Sequence, residues 1–388
     1  MNSSRKSAKT IGIDARFWGE AGPGRYTKAL IQHLEKVDNK NKYIIFLREK
    51  GFDSYKPKNP NFKKVLAHYK WYSFEEQIPY LFKILKHNLD LYYVPHFNIP
   101  ILYPRKLVTA IPDIIMHTFS TNRATTHPGL KFQLKKWAYH LVMWVAVRRS
   151  EKIIVPTKVV KESFLEYYPF LKPEKIVIAP EGIDPDFAKD TSEEFEKKAL
   201  EKYGIGERFL LYVSSMYRHK NVPKLIDAFE KLKTGHDYPG QLVLVGKKDY
   251  FSEQIGEYVK KKGMEDSVLL PGLQTYVEDQ EVTTLRKNAE AYVFPSLQEG
   301  FSLTPLEGMI WGLPAVISDI PCHKEVYGDS VVYFDPESVE DMVEKIAKVL
   351  EDKKLRETLV QKGHKRVEMY DWRKTAEITH EVFKNCLS

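Results

Sequence analysis

Cysteine is nearly absent: the 388-residue chain has two, Cys322 and Cys386. That excludes a disulfide framework and makes a reducing compartment the expectation. Long apolar runs are missing too. The longest, Leu141 to Val147, falls far short of the roughly twenty residues that cross a bilayer. Met1 to Thr10 is polar and basic without an apolar h-region, which argues against a secretory signal. There is no sequence repeat and no low-complexity tract. The dinucleotide fingerprint G-x-G-x-x-G is also lacking: Gly22-Pro-Gly24 has the wrong spacing and no suitably placed acidic residue after it, so a nicotinamide enzyme is not expected. Cys322 and His323 stand without the spaced partners of a zinc site, and no other metal cluster is evident. These absences leave a cytoplasmic protein that at most rests peripherally on the inner face of a membrane.

What is present is an ordinary globular composition, 43% hydrophobic and 29% charged, with an uneven charge. Met1 to Ile183 carries 31 Lys and Arg against 15 Asp and Glu; Asp184 to Ser388 carries 29 against 37. A basic half joined to an acidic half suggests that the first half faces a polyanion. Short β-branched runs alternate with amphipathic stretches throughout, the pattern of parallel sheets with helical crossovers. Twelve strand candidates, from Thr10–Asp14 to Val331–Phe334, are too many for one open sheet. The expected architecture is α/β, with two Rossmann-like domains at 1–185 and 186–370 and a separate final helix at 371–388. The charged segment after Gly182 reads as the linker, and Asp184-Pro-Asp186 within it as a turn rather than a metal motif.

The stretch from Ala291 to Gly312 carries the most chemistry. A buried-looking strand ends at Phe294, a loop carries Glu299-Gly300, and a short helix is predicted with Thr304 as N-cap, Pro305 at its first position and Glu307 at its third. A loop entering a helix at the C-terminal edge of a sheet presents unpaired N–H groups to phosphate. Glu299 and Glu307 would bracket such a phosphate, and carboxylates accept hydrogen bonds from sugar hydroxyls. Thr304-x-x-Glu307 is equally a capping box, in which the glutamate serves only its own backbone.

Glu299-Gly-Phe-Ser-Leu-Thr-Pro-Leu-Glu307 resembles the paired-glutamate motif of the retaining family 4 glycosyltransferases, the mannosyltransferase-like group 1 enzymes. The resemblance extends over nearly the whole chain. Ile11-Gly-Ile-Asp-Ala-Arg16 with Gly22-Pro-Gly-Arg-Tyr26 is similar to the family's first strand and glycine loop, and Ile153-Ile-Val-Pro-Thr157 and Val177 to Asp184 to the end of its first domain. Arg218-His-Lys-Asn221 resembles its basic diphosphate motif, and Asp371-Trp372 its final helix. The resemblance implies the GT-B fold, two Rossmann-like domains facing each other across a cleft with the last helix crossing back to the first. It implies a hexose, of mannose or glucose type, moved from a GDP- or UDP-linked donor to a saccharide or lipid-diphosphate-linked acceptor in cell-surface glycan synthesis. The donor is a co-substrate; no cofactor, metal or nucleic acid is implied.

Carried onto this sequence, Glu307 would hold the ribose hydroxyls and Glu299 the transferred sugar. The backbone of Gly300, Phe301, Ser302, Leu303 and Thr304, with Gly22 and Gly24 of the first domain, would line the donor. Lys220 and Arg218 would neutralise the departing diphosphate, where fixed cations act most strongly. Two places depart from the family pattern. Ser214-Ser215 stands where Gly-Arg is usual, and Pro112-Asp113 where His-Asp is usual, so Asp113, His117 or His96 would face the sugar instead. A catalytically inactive sugar- or lipid-binding homologue is the alternative these departures raise; an epimerase or phosphorylase of the same fold would need features, such as a pyridoxal-phosphate lysine context, that the sequence lacks. Finally, Lys131, Lys135, Lys136, Arg148 and Arg149 are interleaved with Trp137, Tyr139 and Trp144 in one predicted helix. It reads either as a core helix with cationic ends or as an interfacial helix on anionic lipid.

Overall fold

The computed structural model describes residues 8–20, 22–118, 130–183 and 189–388. The Asp184–Asp186 turn and the first seven residues lie outside that set. The chain forms two units, Met1–Gly182 with Asp371–Ser388, and Ile183–Tyr370. The first boundary falls three residues before the expected one, and local contacts explain it. Gly182 lies so close to Trp372 that a Cβ would fall 2.1 Å from that residue's nitrogen. Ile183 donates its N–H to the Tyr370 carbonyl at 3.2 Å.

The first unit is built on seven strands: β1 (Thr10–Asp14), β2 (Lys42–Leu47), β3 (Phe62–Leu66), β4 (Leu91–Val94), β5 (Leu107–Ala110), β6 (Lys152–Val155) and β7 (Ile176–Ile178). All pair in parallel, in the order β3-β2-β1-β4-β5-β6-β7. The central strands are Ile-, Val-, Leu- and Tyr-rich because helices cover both faces of a parallel sheet. Strand β3 is the one the sequence reading missed. Lys63 and Lys64 interrupt its apolar pattern, which an edge strand tolerates because one flank meets water. The helix Trp372–Leu387 returns to this unit. Its Ala376, Val382 and Phe383 join the core around Ile11, Leu30 and Tyr93, with the Phe383 and Tyr93 rings 5.2 Å apart.

The second unit has six parallel strands: β8 (Phe209–Val213), β9 (Gln241–Val245), β10 (Val268–Leu269), β11 (Ala291–Phe294), β12 (Ala315–Ser318) and β13 (Val332–Phe334), in the order β10-β9-β8-β11-β12-β13. In each sheet the strand order reverses once, between β1 and β4 and between β8 and β11. Loops leaving the C-terminal ends of those strands diverge to opposite faces and open a crevice, the place where open α/β sheets bind ligands.

Candidate active site

In the second unit the β8 and β11 loops meet at that crevice. After β8 the chain makes a 3-10 turn, Arg218–Lys220, and Asn221 follows in the left-handed region at φ 58°. The Asn221 side chain does not cap the helix Val222–Gly235; its Nδ2 donates to the Pro336 carbonyl at 2.8 Å. The Leu297 N–H donates to the His219 carbonyl at 2.7 Å and ties the two loops together.

This clamp places Lys220 against Glu299, Nζ to Oε1 2.5 Å, with both side chains largely buried. The Lys220 ammonium also lies 5.1 Å from the centre of the Phe294 ring. Burial opposes the Glu299 carboxylate, yet the adjacent ammonium overrides it and holds the group below its usual range. Lys220 and Glu299 therefore neutralise each other here. A ligand phosphate would compete with Glu299 for Lys220 and release a carboxylate for a sugar hydroxyl. Arg218, the other predicted cation, points to solvent.

The loop from Gly300 to Thr304 is held from below. Ser302 adopts φ 74°; its carbonyl accepts the Tyr327 hydroxyl, and the Phe301 carbonyl faces Cys322 Sγ at 3.8 Å. The capping prediction fails at this point. The helix Thr304–Met309 starts one residue early, with Leu303 before it and no side-chain cap. Glu307 is 1% exposed and its Oε2 pairs with Arg286 Nη2, from the helix Asp279–Asn288. Glu307 thus serves an arginine, and sequence reasoning missed that partner. A lone arginine in an amphipathic helix gives no signal of what its guanidinium meets.

His323, which sequence reading set aside, also belongs to the site. Its Nδ1 donates to the Ser318 carbonyl at 2.9 Å, so the neutral ring presents a bare Nε2. Burial pushes its pKa down to about 4, partly offset by Glu299. Among the described residues, neither His323 Nε2 nor Ser302 Oγ finds a hydrogen-bond partner, though both are buried. Unsatisfied buried acceptors and hydroxyls at a crevice are the groups that a hydroxyl-rich ligand satisfies.

In the first unit the β1 and β4 loops carry a buried ionic network. Arg16 donates to both Asp14 oxygens, Nη2 to Oδ2 2.7 Å, and to Glu76, and lies 3.9 Å from the Tyr80 ring centre. Burial, with Asp14 nearby, raises the Glu76 pKa against the pull of Arg16. His96, buried beside this network, is pushed down to about 4 by desolvation. Asp113 accepts the Ile115 N–H at 2.9 Å and so starts the short helix Ile115–Thr118. His117 is held by two tyrosines, Tyr139 at 2.7 Å on Nδ1 and Tyr168 at 2.9 Å on Nε2. With both nitrogens engaged, His117 links three helical segments. Gly24 is packed so tightly that a Cβ would lie 2.3 Å from the Phe17 carbonyl; Gly22 is open on all sides. Gly24 therefore serves the close approach of its helix to the β1 loop.

Residues 192–366 match the family described as glycosyl transferases group 1. O-antigen chain mannosyltransferase B of Escherichia coli is 29% identical over 188 residues, covering 48% of this chain and 48% of that protein. O-antigen chain mannosyltransferase RfbU of Salmonella typhimurium is 25% identical over 270 residues, 69% of this chain and 67% of that one. The first of these alignments spans about half the length of the curated relative. Among solved structures, sucrose-phosphate synthase from Thermosynechococcus elongatus superposes with a TM-score of 0.75 at 16% identity, over 97% of this chain and 98% of that one. Two parallel-sheet α/β domains of this topology are the fold of the GT-B glycosyltransferases. The second of them, over residues 192–366, is a group 1 glycosyltransferase domain.

Proposed function

We propose that the protein is a retaining glycosyltransferase that moves a hexose, mannose first among the candidates, from a nucleotide diphosphate sugar to a saccharide or lipid-linked acceptor during surface-polysaccharide synthesis. The observation that carries this reading is the Lys220–Glu299 pair at the switch point of the second sheet, one loop away from Glu307 in a group 1 domain. O-antigen mannosyltransferases among the similar proteins support the acceptor class and the sugar.

In this reading the diphosphate engages Lys220, with Arg218 closing on it from the exposed turn. The ribose meets Glu307, whose carboxylate Arg286 orients. The acceptor oxygen attacks the anomeric carbon from the face that the leaving phosphate vacates. The C–O bond to the acceptor forms as the C–O bond to phosphate breaks, and the acceptor's proton passes to the leaving phosphate. Lys220 stabilises the charge that builds there, and a fixed cation in a desolvated site does so without reorganising.

The helix Leu130–Arg149 supports peripheral attachment to an anionic membrane. Leu134, Trp137 and Trp144 are exposed along it, Arg148 stacks on Trp144, and the helix has no acidic residue. Tryptophan at the headgroup level beside cations suits such a surface. Among the described residues no helix is long and apolar enough to cross a membrane.

A panel of GDP-, UDP-, ADP- and dTDP-sugars in thermal-shift and hydrolysis assays tests the activity. One donor should raise the melting temperature, since a ligand at a hundred times its Kd adds about 2.7 kcal/mol, and should be slowly hydrolysed. Stabilisation without turnover, with any acceptor extract, would instead favour an inactive binding homologue.

A further inference from the structure

The N-terminal edge of the first sheet, opposite its switch point, is concave as well. Where β4, β5 and β6 begin, a cleft of about 530 Å³ is lined by Arg105 and Lys106, just before β5, and by Arg148 and Arg149, at the end of the helix Leu130–Arg149. All four cations are exposed, and among the described residues none pairs with a carboxylate. Uncharged groups fix their heads instead. Arg105 donates to the Leu89 carbonyl at 3.3 Å and to Asn88 Oδ1 at 3.1 Å. Lys106 donates to the Cys386 carbonyl at 2.6 Å, and Arg149 to the Tyr103 carbonyl at 2.8 Å. The Arg148 guanidinium lies over the Trp144 and Phe170 rings, 5.3 and 5.9 Å from their centres.

Several cations of the second unit are matched by carboxylates: Lys202 by Glu281, Lys262 by Asp227 and Glu230, Lys287 by Asp190 and Glu196. The cleft has no such match. Of its two carboxylates, Asp90 is spent on the Thr10 N–H and on Lys9, and Glu151 brings one negative charge against four positive ones. Helix ends account for part of the charge. Lys106 caps the last turn of the helix Trp372–Leu387, and Lys175 donates to the Arg148 carbonyl at 2.8 Å. A helix C-terminus carries about half a charge, so these two lysines already serve the two ends. Arg105, Arg148 and Arg149 are left over. A guanidinium presents a planar fork that meets phosphoryl oxygens two at a time. Holding it in place beforehand removes part of the ordering cost of binding.

We propose that this cleft is a second phosphate site, which takes a dianionic phosphate monoester or a diphosphate on Arg105, Arg148 and Arg149. Charge complementarity selects the class. Three arginines beside Glu151 leave two positive charges unmatched, which suits a dianion and not a singly charged phosphodiester. The size of the cleft lies within the roughly 300–1,000 Å³ of small-molecule sites. The site is built from first-unit residues alone and stands whether or not the transferase reading holds.

Calorimetry on the full chain tests the site, with pyrophosphate as probe and Lys220→Ala as background, so that the second unit's phosphate-facing cation is gone. Pyrophosphate should still bind. Adding Arg105→Gln with Arg149→Gln should weaken it at least ten-fold, the scale of lost charge-assisted hydrogen bonds. Arg105→Lys with Arg149→Lys, which keeps the charge and loses the forks, should weaken it about three-fold and serves if the glutamine pair misfolds. Lys56→Gln with Lys63→Gln removes two exposed first-unit cations outside the cleft and should leave the Kd within two-fold. If Lys220→Ala itself melts too early, the same pairs in wild type read the arginine-dependent part of the heat. Glycerol 3-phosphate should displace the probe and dimethyl phosphate, a singly charged diester, should not. Displacement by phosphatidic acid vesicles but not by glycerol 3-phosphate would uphold the site with the monoester carried on a lipid. Absence of pyrophosphate binding, an equal loss in the Lys56 and Lys63 variant, or displacement by dimethyl phosphate as strong as by glycerol 3-phosphate overturns the proposal.

Discussion

Lys220 Nζ and Glu299 Oε1 lie 2.5 Å apart although 79 positions separate the two residues in the chain. The pair joins the β8 and β11 loops across the switch point. Removing one member strands the other's charge in a buried place, which typically costs 3–5 kcal/mol. Lys220→Ala should therefore melt below wild type, and the Lys220→Ala/Glu299→Gln double variant should recover part of the loss.

The same pair predicts opposite effects on nucleotide affinity. Lys220→Ala should weaken nucleoside diphosphate binding by about 1.5–3 kcal/mol, the scale of a lost charge-assisted hydrogen bond. Glu299→Gln frees the ammonium, so it should bind the diphosphate as tightly or more tightly while transfer falls. Calorimetry with free nucleotide, beside a turnover assay, reads both. Equal weakening by the two substitutions would show that neither charge meets the phosphate.

Glu307 and Arg286 form a second buried pair. A double-mutant cycle with Glu307→Gln and Arg286→Met should show a coupling of about 1–3 kcal/mol in stability. Glu307→Gln should also weaken nucleotide binding through the ribose. A capping role would give about 1 kcal/mol with no dependence on Arg286.

Two buried histidines set an acid limit. His96 and His323 are both pushed down to about 4 by desolvation, while in the unfolded chain each titrates near 6.5. Between those values the unfolded chain binds protons that the folded one refuses, so stability is complete above pH 6.5 and falls as the pH drops towards 4. Each contributes up to ~3 kcal/mol across that window. The melting temperature should decline from pH 6.5 to 4.5, and the His96 and His323 ring signals, with those of His117 and His219, should not titrate above pH 5 in NMR spectra. A flat stability profile over that range would refute the assignment of both as buried neutral rings.

Turnover should survive chelation, because in the proposed reaction Lys220 and Arg218 would supply the positive charge that the departing diphosphate needs. Rates with EDTA and with added Mg²⁺ or Mn²⁺ should agree within about two-fold; abolition by EDTA, restored by metal, would place a divalent ion in the reaction.

On anionic vesicles at low salt the protein should co-sediment, and Trp137→Ala with Trp144→Ala should reduce the bound fraction. Each cation near such a surface contributes about 1 kcal/mol and is screened within a Debye length. Binding that ignores lipid charge or salt would leave the helix Leu130–Arg149 without this partner.

The sequence by itself determined what local pattern controls. Buried parallel strands read as β-branched runs, and the strands Thr10–Asp14, Phe209–Val213 and Ala291–Phe294 stand where those runs predict them. The stretch from Phe294 to Glu307 announced a loop running into a short helix, a short-range pattern, although the helix starts at Thr304 rather than Pro305. The tertiary structure decided which side chains meet. Arg286 is 21 positions from Glu307 and Lys220 is 79 from Glu299, and only the crossovers of the sheet bring them together. The same holds for the capping box: Thr304 and Glu307 have the right spacing, but Thr304 lies inside the helix and the Glu307 carboxylate meets a buried arginine, an attraction that grows as water is excluded. Tyr72 shows the limit most plainly. Nothing in Lys70-Trp-Tyr-Ser73 signals a left-handed backbone, which exists only because Glu76, itself fixed by Arg16 from β1 and Asn98 from β4, takes its N–H.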